Sequence, residues 1–190
     1  MNLIRAGGLL LLLNGATMAL EEPQFDVVRR ADDYEIRLYA SHLVAEVDVD
    51  GDHDEAGNRA FGILAGYIFG DNGSAEKMAM TAPVTSTELS NAGANYTYAF
   101  VMERAYTMET LPEPNDPRIR LRAMPSRIMA VRQYSGRWTE AKYEKNERAL
   151  MQSLQADGVT VTGEPILARY DPPFMPWFLR RNEVMVEARR

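Results

Sequence analysis

Apolar and polar residues alternate through the early part of the chain. Phe25-Asp26-Val27-Val28 and Tyr34-Glu35-Ile36-Arg37-Leu38-Tyr39 have the period of two expected of strands, with Ala31-Asp32-Asp33 turning between them. Leu43-Val44-Ala45-Glu46-Val47-Asp48-Val49 predicts a third strand. Gly51-Asp52-His53-Asp54 then breaks the alternation and offers a helix N-cap. Helical spacing follows over 55–69 and stops at Gly70-Asp71-Asn72-Gly73. The run from Lys77 to Thr85 predicts an edge strand that ends or bulges at Pro83, because proline has no N–H for a ladder. Asn95 to Met102 predicts a further strand. Leu111-Pro112-Glu113-Pro114-Asn115-Asp116-Pro117 is a proline-stiffened connector.

Beyond the connector the pattern starts again. Arg118 to Arg122 and Ser126 to Arg132 predict two strands, and Gly136-Arg137-Trp138-Thr139 leads into a helix over 140–156, with Gly158 placed to end it. Pro165 to Tyr170 and Val184-Met185-Val186 are strand-like. A constant offset of 85 sets Ser41 on Ser126, Leu43 on Ile128, Ala45 on Ala130, Gly51 on Gly136 and Glu55 on Glu140. The pattern predicts two pseudo-repeats, about 25–110 and 117–188, each strand–strand–helix–strand–strand. One helix per half on an antiparallel sheet gives an α+β fold, in which the two sheets can join into one distorted antiparallel β-barrel flanked by two helices.

Two stretches stand out within this frame. The first helix has Ala60, Phe61, Leu64 and Ile68 on one side, but Gly57, Asn58, Gly62, Ala65 and Gly66 on the rest. Each interior glycine costs helix stability, about 1 kcal/mol relative to alanine. They serve either close packing on the sheet or a shallow face on which something flat lies. The second stretch is Pro172-Pro173-Phe174-Met175-Pro176-Trp177-Phe178-Leu179. Its prolines demand a loop, yet its side chains are as apolar as a core strand. Such a loop either plugs a core end or walls an apolar ligand. Arg59, Arg180 and Arg181 are candidate anchors for ligand carboxylates, with salt bridges inside the fold as the alternative for the arginine pair.

Composition narrows the chemistry. The 190 residues are 46% hydrophobic and 25% charged, with a formal net charge of −6, and they show no basic stripe for nucleic acid. There is no cysteine, which removes thiolate nucleophiles, thiolate-bound zinc and iron–sulfur ligation. The two histidines, His42 and His53, lack metal-ligand spacing, and no catalytic constellation is visible. Residues 1–19 have the layout of a secretory signal peptide: Arg5, a short leucine run, then Thr17 and Ala19 at the cleavage positions. This predicts an exported, periplasmic or extracellular protein, a single domain over 20–190, and no membrane span once the leader is removed.

Lys77-Met78-Ala79-Met80-Thr81-Ala82-Pro83-Val84 resembles the K-[IM]-x-M-T-[AS]-P-V signature of the SOUL/haem-binding protein family. Tyr34-Glu35-Ile36-Arg37-x-Tyr39 resembles its opening strand, and Tyr170-Asp171-Pro172-Pro173 with Arg180-Arg181-Asn182-Glu183-Val184 its closing segment. The resemblance implies a duplicated, distorted β-barrel with two helices. It also implies non-covalent binding of haem or free porphyrin in an apolar groove between the first helix and the loop after Pro173. On this chain the lining would be Phe61, Leu64, Ala65, Ile68, Phe174, Met175, Trp177 and Phe178, with Arg59 and Arg180 beside it. The chain departs from the family pattern in two respects. Leu38 stands where some members have a histidine proposed as axial ligand, and Asn58 and Gly66 stand at first-helix positions expected to be basic. The expected function is therefore to carry, buffer or scavenge a tetrapyrrole, not to act as an enzyme. The alternatives are a binding module for another amphipathic molecule, like the effector-binding domains of bacterial regulators, and a haem-modifying enzyme.

Overall fold

The computed structural model describes residues 20–89 and 96–189; the expected leader, 1–19, lies outside them, as do the side chains of His53 and Asp54. The strands are β1 (Phe25–Arg30), β2 (Glu35–Tyr39), β3 (His42–Val49), β4 (Val84–Glu88), β5 (Tyr96–Val101), β6 (Arg120–Met124), β7 (Arg127–Tyr134), β8 (Thr160–Val161), β9 (Ile166–Arg169) and β10 (Asn182–Arg189). Helix α1 (His53–Ile68) follows β3, and α2 (Glu140–Ala156) follows β7. The expected α+β architecture is present. β2 and β3 begin 85 residues before β6 and β7; β4 and β5 follow α1, whereas β8, β9 and β10 follow α2.

The pairing is antiparallel throughout the sheet, in the order β1-β2-β7-β10-β9-β4-β5-β3-β6, with β8 added beside β10. The first strand of each half pairs with the second strand of the other, β2 with β7 and β6 with β3. The halves are thus interlocked rather than joined by the connector alone. Edges β1 and β6 do not meet, so the sheet curls into a half-barrel.

Period-two alternation then sorts the side chains. On β3, Ala45, Val47 and Val49 pack toward α1 with Tyr98 and Phe100 of β5. Val44, Glu46 and Asp48 face the concave side, with Thr97, Ala99 and Val101. The second half repeats this: Ala130, Val184, Val186 and Ala188 pack with Leu150 and Leu154 of α2, while Met129 and Met185 face the concave side. Asp52 caps α1 by accepting from the Glu55 N–H at 3.0 Å. Gly158, at φ +66°, ends α2 where glycine was expected.

The expected strand over 77–85 begins only at Val84. The backbone upstream bonds elsewhere: Met78 N–H to Ile68 O, Ala79 N–H to Glu103 Oε1 and Ala82 N–H to Glu21 O. Thr81 makes one isolated bridge with Glu21. Pro83 has no N–H to offer, so the ladder starts after it. The proline connector is packed in place: Leu111 and Pro112 are buried, and the Tyr67 hydroxyl donates to Pro112 O at 2.8 Å.

Candidate functional site

Helix α1 divides the expected groove residues by its own geometry. Ala56, Ala60, Leu64, Tyr67 and Ile68 recur at three- and four-residue intervals and are buried against β3 and β5. Leu64, Ala65 and Ile68 therefore belong to the core, and their side chains do not wall a surface groove; this corrects their expected place. Phe61 lies off that stripe, 47% exposed, with its ring edge-on to Phe100 at 5.5 Å between centroids. Arg59 is exposed and, among the described residues, donates from Nη1 to the Asp50 carbonyl at 3.4 Å. The glycines also separate. A Cβ at Gly57 would press on the Tyr98 hydroxyl at 3.2 Å, whereas one at Gly62 would meet nothing within 4 Å. Close packing accounts for Gly57 but not for Gly62, which leaves a bare patch beside Phe61.

The segment after Pro173 is not a core plug. Phe174 is 84% exposed, Phe178 58% and Trp177 47%, and Leu179 is exposed as well. Residues Trp177–Leu179 form a single 3-10 turn. Its shape is held from inside. Arg180 donates from Nε to Met175 O at 2.8 Å and from Nη2 to Pro173 O at 2.5 Å, and it stacks over Trp138 at 4.3 Å. Trp138 is fixed in turn by its indole N–H bond to Asn182 Oδ1 at 2.8 Å, and Arg137 sits over Trp177 at 5.7 Å. Arg181 pairs with Glu22 at 2.5 Å and lies over the Tyr170 ring. Asp171 Oδ2 accepts from the Arg181 N–H at 2.5 Å, closing the loop's base. Arg180, expected beside a ligand, braces the loop, with two of its five N–H donors on the carbonyls of 173 and 175. Met175 is half-buried. Trp177 and Phe178 stand edge to face, 5.6 Å apart. Among the described residues, no hydrogen bond, ion pair or ring contact joins α1 to this loop.

Beneath the loop lies a buried polar cluster. Arg37 Nη1 donates to both oxygens of Glu183 at 3.1 Å, and its Nε donates to Glu35 at 2.8 Å. The Tyr170 hydroxyl donates to Glu183 Oε2 at 2.6 Å. Burial, then the Glu183 charge, pushes the Tyr170 phenol far above its ordinary pKa, so it remains a donor. Burial works against the Arg37 charge, but Glu183, Tyr39 and Glu35 together outweigh it and hold that guanidinium above its usual range. The cluster ties β2 to β10 and to the residue that opens the loop.

The cavity of the concave face, about 430 Å³, lies elsewhere and is lined by none of the ten residues expected at the ligand site. Leu38, on β2, is exposed. His42 lines the cavity with its Nδ1 held by Ala40 O at 3.0 Å. Among the described residues, no group of three or more His, Asp or Glu could hold a metal ion, and no helix is long and apolar enough to cross a membrane.

The family model for the SOUL heme-binding protein matches residues 20–187. The chain belongs to the SOUL heme-binding protein family. It is 30% identical over 156 residues to heme-binding protein 1 of Xenopus tropicalis, covering 80% of this chain and 81% of that protein. The fold recurs in the C-terminal domain of EcmrR, with a TM-score of 0.62 at 10% identity, covering 83% of this chain and 97% of that one. It recurs also in a hydrolase from Listeria innocua, with a TM-score of 0.58 at 14% identity over 85% of this chain and 94% of the other. At such identities these two likenesses concern architecture alone.

Trp138, Arg137 and Asn182 were not anticipated as parts of the site. Trp138 had a signal, a large aromatic just before a helix N-terminus, but its partners are distant in sequence. Only the β7–β10 pairing brings them together.

Proposed function

We propose that this chain is an exported tetrapyrrole-binding protein that holds haem or free porphyrin without covalent attachment and carries, buffers or scavenges it. The observation that carries this is the braced loop, which keeps Phe174, Trp177 and Phe178 in solvent, where isolated apolar side chains gain nothing. Phe61 and the bare Gly62 patch supply a second exposed apolar surface on α1. Membership of a heme-binding family and the kinship with heme-binding protein 1 support the choice of ligand. Export rests on the layout of residues 1–19.

The side chains present suit a flat apolar macrocycle with two carboxylates. Its faces would lie against Phe61, Trp177 and Phe178. Arg59 and Arg137 carry the charges suited to propionates, whereas Arg180 is occupied within the loop. No iron ligand is assigned, since Leu38 replaces the histidine of the opening strand and His42 faces the cavity instead. Binding should therefore be carried by the macrocycle, and metal-free protoporphyrin IX should bind about as well as haemin. Membership of a heme-binding family supports a binder rather than an enzyme. Titration of the chain from residue 20 onward with haemin and with protoporphyrin IX tests this. Saturable binding with a shifted Soret band is expected for both; no binding of either at micromolar concentration overturns the proposal.

A further inference from the structure

The concave face of the half-barrel has features that the exposed loop and α1 do not use. Its cavity of about 430 Å³ is within the range of small-molecule sites, about 300–1,000 Å³. Its floor is apolar: Val44, Ala99, Val101, Met129, Ile166 and Met185. Charged groups gather at one end. Arg120 takes up the cavity's carboxylates, bonding Glu46 at 3.2 Å and Asp48 at 2.8 Å, and Arg122 lies 3.5 Å from Glu46. Arg127 is different. It sits at the start of β7, opposite Tyr39, and makes no ion pair among the described residues. Its Nε is buried without a hydrogen-bond partner.

Arg127 is half-buried, and taking part of a guanidinium out of water without a counter-ion is costly. Here burial holds the Arg127 pKa below its ordinary range, and neighbouring Arg122 adds to the depression, while Glu187 offsets part of it. His42, in the same lining, is lowered by burial and by Arg127. At the corner where β2 turns into β3 and β6 into β7, Glu46 and Asp48 are thus taken up by Arg120 and Arg122, and Glu187 acts on Arg127 without forming an ion pair with it among the described residues. An external anion would pair with Arg127, and the apolar floor beside that charge calls for a hydrocarbon body.

We propose that this cavity is a second ligand site, specific for an aliphatic organic anion whose carboxylate pairs with Arg127 while its chain lies along the floor formed by Val44, Val101, Met129 and Met185. The site is separate from the tetrapyrrole surface, since none of its lining residues comes from α1 or the 174–179 loop.

Calorimetric titration with decanoate, decanol and decyltrimethylammonium as probes tests the charge requirement at constant tail length. Decanoate should bind at one site per chain, at least tenfold tighter than decanol or the cation. Arg127→Gln should weaken decanoate tenfold or more, and Arg127→Lys should restore most of the loss. Both variants should keep wild-type haemin titrations, which also shows that they are folded. Decanoate should bind equally in haemin-saturated protein. Equal binding of decanol or of the cation, an unchanged decanoate affinity in Arg127→Gln, displacement by haemin, or no decanoate binding overturns the proposal. The Soret titration reports on the tetrapyrrole separately, so each can fail alone.

Discussion

The guanidinium of Arg180 lies over the indole of Trp138, 4.3 Å from the ring centroid. This contact joins the exposed loop to the turn that opens α2, so the loop's apolar tip is held by the second half of the fold. Arg180→Ala should remove the stack and two hydrogen bonds to loop carbonyls, costing about 1–3 kcal/mol in urea unfolding. Amide hydrogen exchange should accelerate in 173–179 and not in β3 or β5. Haemin affinity should fall with it, because an unbraced loop must be ordered on binding.

Exposure separates the candidate ligand-facing residue Phe61 from the core residue Leu64 on α1. Burying one phenyl ring is worth about 1.5–3 kcal/mol, so Phe61→Ala should weaken haemin binding roughly tenfold or more while changing the unfolding midpoint little. Trp177→Ala should behave alike. Leu64→Ala should do the opposite, losing about 2–5 kcal/mol of stability through a cavity in the core. Paired haemin titrations and denaturation curves of the three variants check this.

Gly62 offers a sharper discrimination. A methyl there meets nothing within 4 Å, so Gly62→Ala should stabilise α1, by about 1 kcal/mol at most. If the bare patch receives the macrocycle, the same substitution should weaken haemin binding. A variant that is both more stable and unchanged in affinity would remove this patch from the site.

Local patterns carried the fold where the physics was local. α2 runs over Glu140–Ala156, as its periodicity and Gly158 predict, and the interior-facing residues of β3 and β10 follow simple alternation. The misread stretch, 77–83, has strand-like composition, but its hydrogen bonds go to Glu103 and to the backbone of Glu21 and Ile68, partners that no window around it contains. Apolar composition named candidate residues for a site, not the directions of their side chains. One helical register places Leu64 inward and Phe61 outward, and composition does not fix that register. Arg180 and Arg181 could be named but not assigned, because their partners Trp138, Tyr170 and Glu22 are set by strand pairing.

The Arg37–Glu183 pair is buried, and Tyr170 completes it. Glu183→Ala leaves the buried Arg37 guanidinium with Glu35 as its remaining carboxylate among the described residues, so it should cost up to about 3–5 kcal/mol. Tyr170→Phe removes one hydrogen bond while leaving the ion pair intact, and should cost about 1 kcal/mol. Urea denaturation of both variants against wild type gives the two numbers. A near-neutral Glu183→Ala would mean that water reaches the cluster and solvates Arg37.

His42 sets a pH dependence whose sign follows from its surroundings. Burial disfavours its charged form, the hydrogen bond with Ala40 O opposes this in part, and the nearby Arg127 charge adds to the depression. The folded-state pKa thus lies below that of the unfolded chain, about 6.5. Above that pH both states hold a neutral imidazole and stability is unaffected. As pH falls below it, the unfolded chain takes up a proton that the folded chain resists, so stability declines until the folded-state pKa is passed. The slope should approach, and not exceed, about 1.4 kcal/mol per pH unit from this one group. His42→Gln should flatten this decline between pH 7 and 5.5, while the carboxylates Glu35 and Asp48, whose pKa values are lowered, produce their losses at more acidic pH in both proteins. Urea midpoints across that range check it, and a decline that persists unchanged in His42→Gln would assign the effect to another group.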